Sequence, residues 1–136
     1  MRFFWWTPLL ALSGPLFGQG GLDDAATRAR SAWIAHDPVA LLQGSPGVML
    51  QIPGADPSSA ISRAQASELL ARYFRTSEER DVTIRVAREM EEGRGYVELQ
   101  RRFIVAGTTE ERRETVFLGF RRFGDRWAVV ELRTAR

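Results

Sequence analysis

From Asp81 to the C-terminus apolar residues recur at every second position, and short glycine-containing breaks interrupt them three times. A period of two belongs to strands with one buried face and cannot be satisfied by a helix. The spacing predicts four long strands, Val82–Glu91, Gly95–Ala106, Arg112–Phe123 and Arg126–Thr134. Hairpin turns at Gly93-Arg94, Gly107-Thr108-Thr109 and Gly124-Asp125 join them. Helical patterns precede this meander, so the fold class is α+β, with helices packed on a curved antiparallel sheet.

A one-residue slip turns a strand over, so hydrophobic matching selects the register. It sets Ile84 opposite Phe103, Val86 opposite Arg101 and Met90 opposite Val97. It also sets Leu99 opposite Leu118, Val97 opposite Phe120, Phe120 opposite Val130 and Leu118 opposite Leu132. One face then collects Val82, Ile84, Val86, Met90, Val97, Leu99, Phe103, Val105, Val116, Leu118, Phe120, Ala128, Val130 and Leu132. That face is expected to lie under the helices, and Arg88 and Arg101 are the charged residues that fall on it.

Upstream, Leu22, Ala25, Ala26, Ala29 and Trp33 mark a helix over about 22–36, with Asp23-Asp24 at the positive end of its dipole. Asp37-Pro38 is an N-cap followed by proline at the first helical position; it opens a short helix, Val39–Gln43, stopped by Gly44-Ser45-Pro46-Gly47. Val48–Ile52 reads as a short strand and Pro53–Ala60 as a loop. Ser62-x-x-Gln65 is a capping box, and Ala66, Leu69, Leu70, Tyr73 and Phe74 form the apolar stripe of a helix ending near Arg75-Thr76.

The first twenty residues have a different character. Met1-Arg2 is a short positive region, Phe3–Leu12 an apolar run of ten, and Gly18-Gln19-Gly20 supplies small residues at peptidase-read positions. This is the pattern of a cleavable signal peptide, with cleavage after Gly20 or Gly18. Phe3–Phe17, interrupted by Pro8 and Pro15, is shorter than the ~20 residues a spanning helix needs. The expected organisation is a signal peptide over 1–20 and a single domain over 21–136. Export to the periplasm or the extracellular space follows.

The order of elements resembles the NTF2-like superfamily of cone-shaped α+β domains. The resemblance rests on W-x-x-H-D at Trp33–Asp37, the V-A-L-L helix, A-x-x-L-L-x-x-Y-F at Ala66–Phe74, and the closing strand R-W-A-V-V-E-L at Arg126–Leu132. It extends over nearly all of 22–136, and the nearest likeness is to secreted, uncharacterised single-domain members. The superfamily includes isomerase- and dehydratase-like enzymes, transport factors and non-catalytic binding or dimerisation modules, so the fold alone does not assign an activity.

Composition narrows the chemistry. The 136 residues contain no Cys, one His and no Lys, so all 19 basic side chains are Arg. Disulfide scaffolds, thiolate metal sites and Cys nucleophiles are excluded, and a single His leaves no multi-histidine metal centre. No cofactor and no metal are expected. Residues 21–136 carry 18 Arg and 17 acids, a net charge of +1. The doublets Arg101-Arg102, Arg112-Arg113 and Arg121-Arg122 alternate between sheet faces, so nucleic acid is not an expected partner.

Three groups of residues are candidates for function. Arg88 and Arg101, with Trp33 and Tyr73 nearby, could line a cone pocket for a small hydrophobic or anionic ligand; the alternative is that both arginines pair with acids such as Glu68 or Glu89. His36 and Asp37, with Tyr73 as hydrogen-bond donor, are the acid/base set of an alternative isomerase- or dehydratase-type enzyme, although Asp37 is also explained as a helix cap. Ile104, Phe117, Phe123, Trp127 and Val129 fall on the opposite sheet face. They suggest a homodimer surface, unless the N-terminal segment or a bent strand covers them. The expected function is a non-catalytic, exported binding or dimerisation module, its cone either open to a ligand or filled.

Overall fold

The structure, a computed structural model, describes residues 21–56 and 59–136. The expected signal peptide lies outside the described residues, as do positions 57 and 58 of the expected loop. Helix α1 (Gly21–Ile34) is followed by the short α2 (Pro38–Leu41), strand β1 (Met49–Gln51) and helix α3 (Arg63–Phe74). Four long strands complete the fold: β2 (Ser77–Met90), β3 (Arg94–Val105), β4 (Glu111–Phe123) and β5 (Arg126–Ala135). The sheet order is β1-β5-β4-β3-β2. All long pairs are antiparallel, while β1 joins the β5 edge in parallel, so the sheet is mixed rather than wholly antiparallel.

Local chemistry explains the helix boundaries. Ser62 Oγ accepts the Gln65 N–H at 3.1 Å and starts α3, and Asp37 Oδ1 accepts the Ala40 N–H at 3.1 Å and starts α2. Helix α1 ends in a Schellman arrangement, with Asp37 N–H bonded to Ala32 O and His36 N–H to Trp33 O. His36 therefore occupies the left-handed position (φ 54°) that glycine usually takes. The buried face of α1, Leu22, Ala25, Ala26, Ala29, Ala32 and Trp33, packs on the sheet with Leu70, Tyr73 and Phe74 of α3. Large side chains buried this way stabilise the fold by about 1.5–3 kcal/mol each.

Three irregularities change the expected register. Strand β2 begins at Ser77, five residues before the expected start, so the polar run Ser-Glu-Glu-Arg-Asp is part of the sheet. Register shifts between Glu79 and Asp81 and between Ile84 and Val86 then set Glu79 opposite Phe103, Val82 opposite Arg101, Ile84 opposite Leu99 and Val86 opposite Glu98. Val86 and Arg88 consequently face away from the helices, the latter opposite Tyr96. Met90 is not opposite Val97: it pairs with Arg94 across a turn at Glu91–Gly93 and is exposed.

The pairing of β3 with β4 keeps the expected faces but slides by two residues. Leu99 meets Val116, Val97 meets Leu118, and Arg101 meets Glu114. In β5 Leu118 does pair with Leu132, but Phe120 pairs with Val129 because Val130 is an extra residue between the paired positions. This bulge turns Trp127 and Val129 into the core, where both are buried. Ser45 Oγ donates to the Val129 carbonyl at 2.6 Å, satisfying a buried acceptor beside the bulge.

Candidate functional site

The only His of the chain, Arg101 and Tyr73 converge on one buried cluster at the helix-covered face of the sheet. Strand β3 contributes Arg101 and Phe103, β2 contributes Ser77 and Glu79, β4 contributes Glu114, and the ends of α1 and α3 contribute Trp33, His36 and Tyr73. The Arg101 side chain is 0% exposed. Its Nε donates to Glu79 Oε2 at 3.1 Å and its Nη2 to Glu79 Oε1, a two-pronged pairing. Nη2 also donates to Ser77 Oγ at 2.7 Å, and Nη1 to Glu114 Oε1 at 2.6 Å and Tyr73 Oη at 3.1 Å. All five guanidinium N–H groups are thereby engaged within the protein.

Aromatic rings enclose the cation. The guanidinium carbon lies 3.8 Å from the Phe103 ring centroid, 5.3 Å from Trp33 and 5.6 Å from Tyr73. Trp33 Nε1 donates to Glu79 Oε1 at 3.1 Å, and Tyr73 Oη donates to Glu114 Oε1. Burial pulls the Arg101 pKa down, but hydrogen bonding and the charge of Glu79 more than reverse this, so the side chain stays protonated. The Tyr73 hydroxyl is pushed well above the ordinary tyrosine range, first by burial and then by the Glu114 carboxylate. It is a donor in this cluster and not an acid at neutral pH.

His36 sits at the rim. Its ring stacks on Phe74 (centroids 4.6 Å apart, planes at 4°), and Nε2 lies 3.1 Å from Glu79 Oε1. The imidazole is 24% exposed, so it is the point at which the cluster meets solvent. Asp37 is exposed and caps α2, so the two adjacent residues serve different partners. The second expected arginine, Arg88, stands exposed on the opposite sheet face and does not share a pocket with Arg101.

The acids that answer Arg101 are Glu79 and Glu114, where Glu68 or Glu89 were the expected partners. Glu114 was legible: it has the same strand parity as Val116, Leu118 and Phe120. Glu79 carries no such signal, because the bulge after it breaks the alternation. The inner face, expected to carry Arg88 and Arg101 as its charged residues, instead holds Arg101 with two carboxylates, and His36 at its rim.

Of the residues expected on an outer partner surface, Trp127 and Val129 are core residues, as above. Phe117 is half-buried on the outer face, stacked with Tyr96 (centroids 6.3 Å) and overlain by the Arg133 guanidinium at 4.1 Å. Ile104 is half-buried there opposite Glu111. Phe123, 42% exposed, stands at the β4–β5 turn. There it lines a groove of about 1040 Å³ between α1, the segment Asp37–Gly44 and the start of β5. The groove floor is apolar, with Ala29, Ala32, Leu41, Phe120, Trp127 and Val129; Asp24, Arg28, Asp37, Asp125 and Arg126 also line it. Among the described residues no group of three or more His, Asp or Glu is placed to hold a metal ion, and no helix is long and apolar enough to cross a membrane.

A sheet covered by N-terminal helices in this order matches the NTF2-like fold, and comparison with solved structures agrees. The chain is similar to a ketosteroid isomerase-like protein from Erwinia carotovora atroseptica, with TM-score 0.65 and 15% identity over 83% of this chain and 91% of that one. It is similar to a DUF4783 family protein from Bacteroides uniformis, with TM-score 0.64 and 15% identity over 81% and 94%. A protein of ketosteroid isomerase-like fold from Catenulispora acidiphila, solved in complex with trimethylamine, matches with TM-score 0.61 and 17% identity over 83% and 85%. No protein-family model matches the sequence, and no curated protein matches it. At these identities the likeness establishes the fold: the chain has the NTF2-like α+β architecture.

Proposed function

We propose that this chain is a non-catalytic NTF2-like binding module, exported behind residues 1–20, whose cone is sealed and whose small ligand lies in the groove beside it. The observation that carries this reading is the saturation of Arg101. With five N–H groups engaged and no exposed surface, the guanidinium has no donor left for an external anion. A substrate entering the cone would displace a carboxylate from a buried arginine, leaving a charge uncompensated. The enzyme alternative needs His36, Asp37 and Tyr73 to face a common cavity. Their polar atoms are instead engaged with Glu79, the Ala40 N–H and Glu114.

The groove has the size and the mixture of surfaces that small-molecule sites have: an apolar floor with a few charges to orient a polar end. Its chemistry fits an amphipathic ligand with a flat apolar body. The test uses residues 21–136 and the amphipathic dye anilinonaphthalene sulfonate. Ala35 and Ala40 are exposed where they line the groove, so Ala35→Trp and Ala40→Trp fill it without entering the core. Dye binding to the native protein that both substitutions abolish is the expected result. Binding unaffected by either substitution, or lost equally on Arg101→Met, would move the site away from the groove. N-terminal sequencing of the exported protein is expected to begin at residue 19 or 21, and an intact Met1 would refute the export reading.

A further inference from the structure

On the outer face of the sheet, the one opposite the Arg101 side chain, three arginines come together. Arg102 and Arg113 are direct cross-strand partners in β3 and β4, so their side chains leave the same face side by side. Like charges directly opposite each other are unfavourable in a sheet. Arg85 is the extra residue at the second bulge of β2, and that bulge re-aims it toward β3, where its Nη1 donates to Gln100 Oε1. Together with Asp81, Thr83, Gln100 and Arg101, whose side chain is buried, these arginines line a hollow of about 230 Å³.

The charges do not cancel. Arg102 has Glu111 at 3.4 Å and Asp81 as its partner in β2. The Asp81 carboxylate also accepts from Thr83 Oγ1 at 3.3 Å. Arg113 has no hydrogen bond or ion pair among the described residues, and Arg85 is bonded only to a neutral amide. Gln100, whose oxygen is taken by Arg85, has its amide N–H groups left to donate. A bulge that aims one guanidinium at a pair of like-charged neighbours is a geometry that an oxyanion would stabilise, because each arginine presents a planar fork of donors.

We propose that the hollow between Arg85, Arg102 and Arg113 is a binding site for a tetrahedral oxyanion, phosphate or sulfate, free or as the terminal group of a monoester. Binding sets the anion against Arg113 and Arg85, with Gln100 donating a neutral hydrogen bond. The site is independent of the groove and of any ligand there.

Calorimetric titration of residues 21–136 with inorganic phosphate, sulfate and methyl phosphate, whose ester group is too small to occupy the groove's apolar floor, at ionic strength held constant with chloride, tests this. Saturable binding is expected, and a tighter constant for methyl phosphate than for inorganic phosphate would identify a monoester as the preferred source. Arg113→Gln and Arg85→Gln are each expected to weaken binding by about tenfold, the loss of one charge-assisted hydrogen bond. Arg63→Gln, exposed on α3 and lining neither the hollow nor the groove, is expected to leave it unchanged. A second readout needs no ligand: Arg113→Gln is expected to raise the melting temperature in phosphate-free buffer by removing the repulsion on Arg102, and phosphate is expected to close the gap. No saturation, an equal response to chloride, or equal weakening by Arg63→Gln would overturn the proposal and leave a solvated charged surface.

Discussion

Replacing Arg101 by Met tests the interior of the cone most directly. The methionine keeps the aliphatic stem of the side chain but removes the cation between two carboxylates, each no more than 5% exposed, and with it the guanidinium that lies over Phe103. Breaking a buried ion pair by deleting one partner destabilises by about 3–5 kcal/mol, because the surviving charge stays buried without compensation. For a domain of this length that corresponds to a fall of roughly 12–20 °C in melting temperature. The assay is urea denaturation of residues 21–136 followed by circular dichroism, with slope and midpoint fitted separately so that a change in compactness is not read as a change in stability. The triple variant Glu79→Gln, Arg101→Met, Glu114→Gln separates charge from packing. It removes all three charges and keeps acceptors for Trp33 Nε1 and Tyr73 Oη, so it is expected to recover about 2 kcal/mol of the loss. A single-variant loss below about 1 kcal/mol, or a triple variant no better than Arg101→Met, would refute the view that Arg101 is buried and internally neutralised.

Tyr73 sets the alkaline limit. Its hydroxyl keeps its proton in the folded state at pH values where the unfolded chain releases it, so the unfolded state binds fewer protons and stability falls as pH rises. The contribution is complete below about pH 10, the ordinary tyrosine value, and declines above it. Thermal scans in alkaline buffers are expected to show a steeper loss for the native protein than for Tyr73→Phe; parallel curves would contradict the assignment. Gly95 faces the core where Leu22 and Trp127 pack, and an added Cβ would lie 2.8 Å from Leu22 Cδ1 and 3.2 Å from Trp127 Cζ3. Gly95→Ala is therefore expected to destabilise by about 1–3 kcal/mol through overpacking, and a neutral result in urea denaturation would mean that α1 is free to shift.

Periodicity carried most of the fold. The helices were legible from their caps and apolar stripes, and the four long strands from alternation interrupted by glycine. What alternation cannot carry is an extra residue. Arg80, Arg85 and Val130 each break the parity of a strand, and the last two moved residues across the sheet: Val86 and Arg88 outward, Trp127 and Val129 inward. A bulge leaves the composition of a strand unchanged, so nothing in a single sequence marks it. The same limit decided the site. Arg101 could be placed on the inner face because β3 is regular; Glu114 shares the parity of Val116 and Leu118 in an equally regular stretch of β4 but was not assigned there. Glu79 lies beyond a bulge, in a segment too polar to read as a strand, and so the second partner of Arg101 was hidden.

The placement of His36 ties these observations to access. A side chain at the left-handed end of a helix is strained relative to glycine by about 1 kcal/mol, and the position persists when other contacts outweigh that strain. Here the imidazole stacks on Phe74 and reaches Glu79, joining the end of α1 to α3 and to β2. Trp33 and Tyr73 make two further joints from the same helices to the two carboxylates. Moving α1 or α3 outward to admit a ligand would therefore break several bonds to one shared network at once, and charged members of that network would be exposed unevenly. Small, graded opening is disfavoured by such coupling. The groove on the other side of α1 asks for no such rearrangement, since its lining side chains make none of these bonds. A ligand of ordinary affinity, with only a few kilocalories to spend on reorganisation, is better matched to that side of the helix than to the interior.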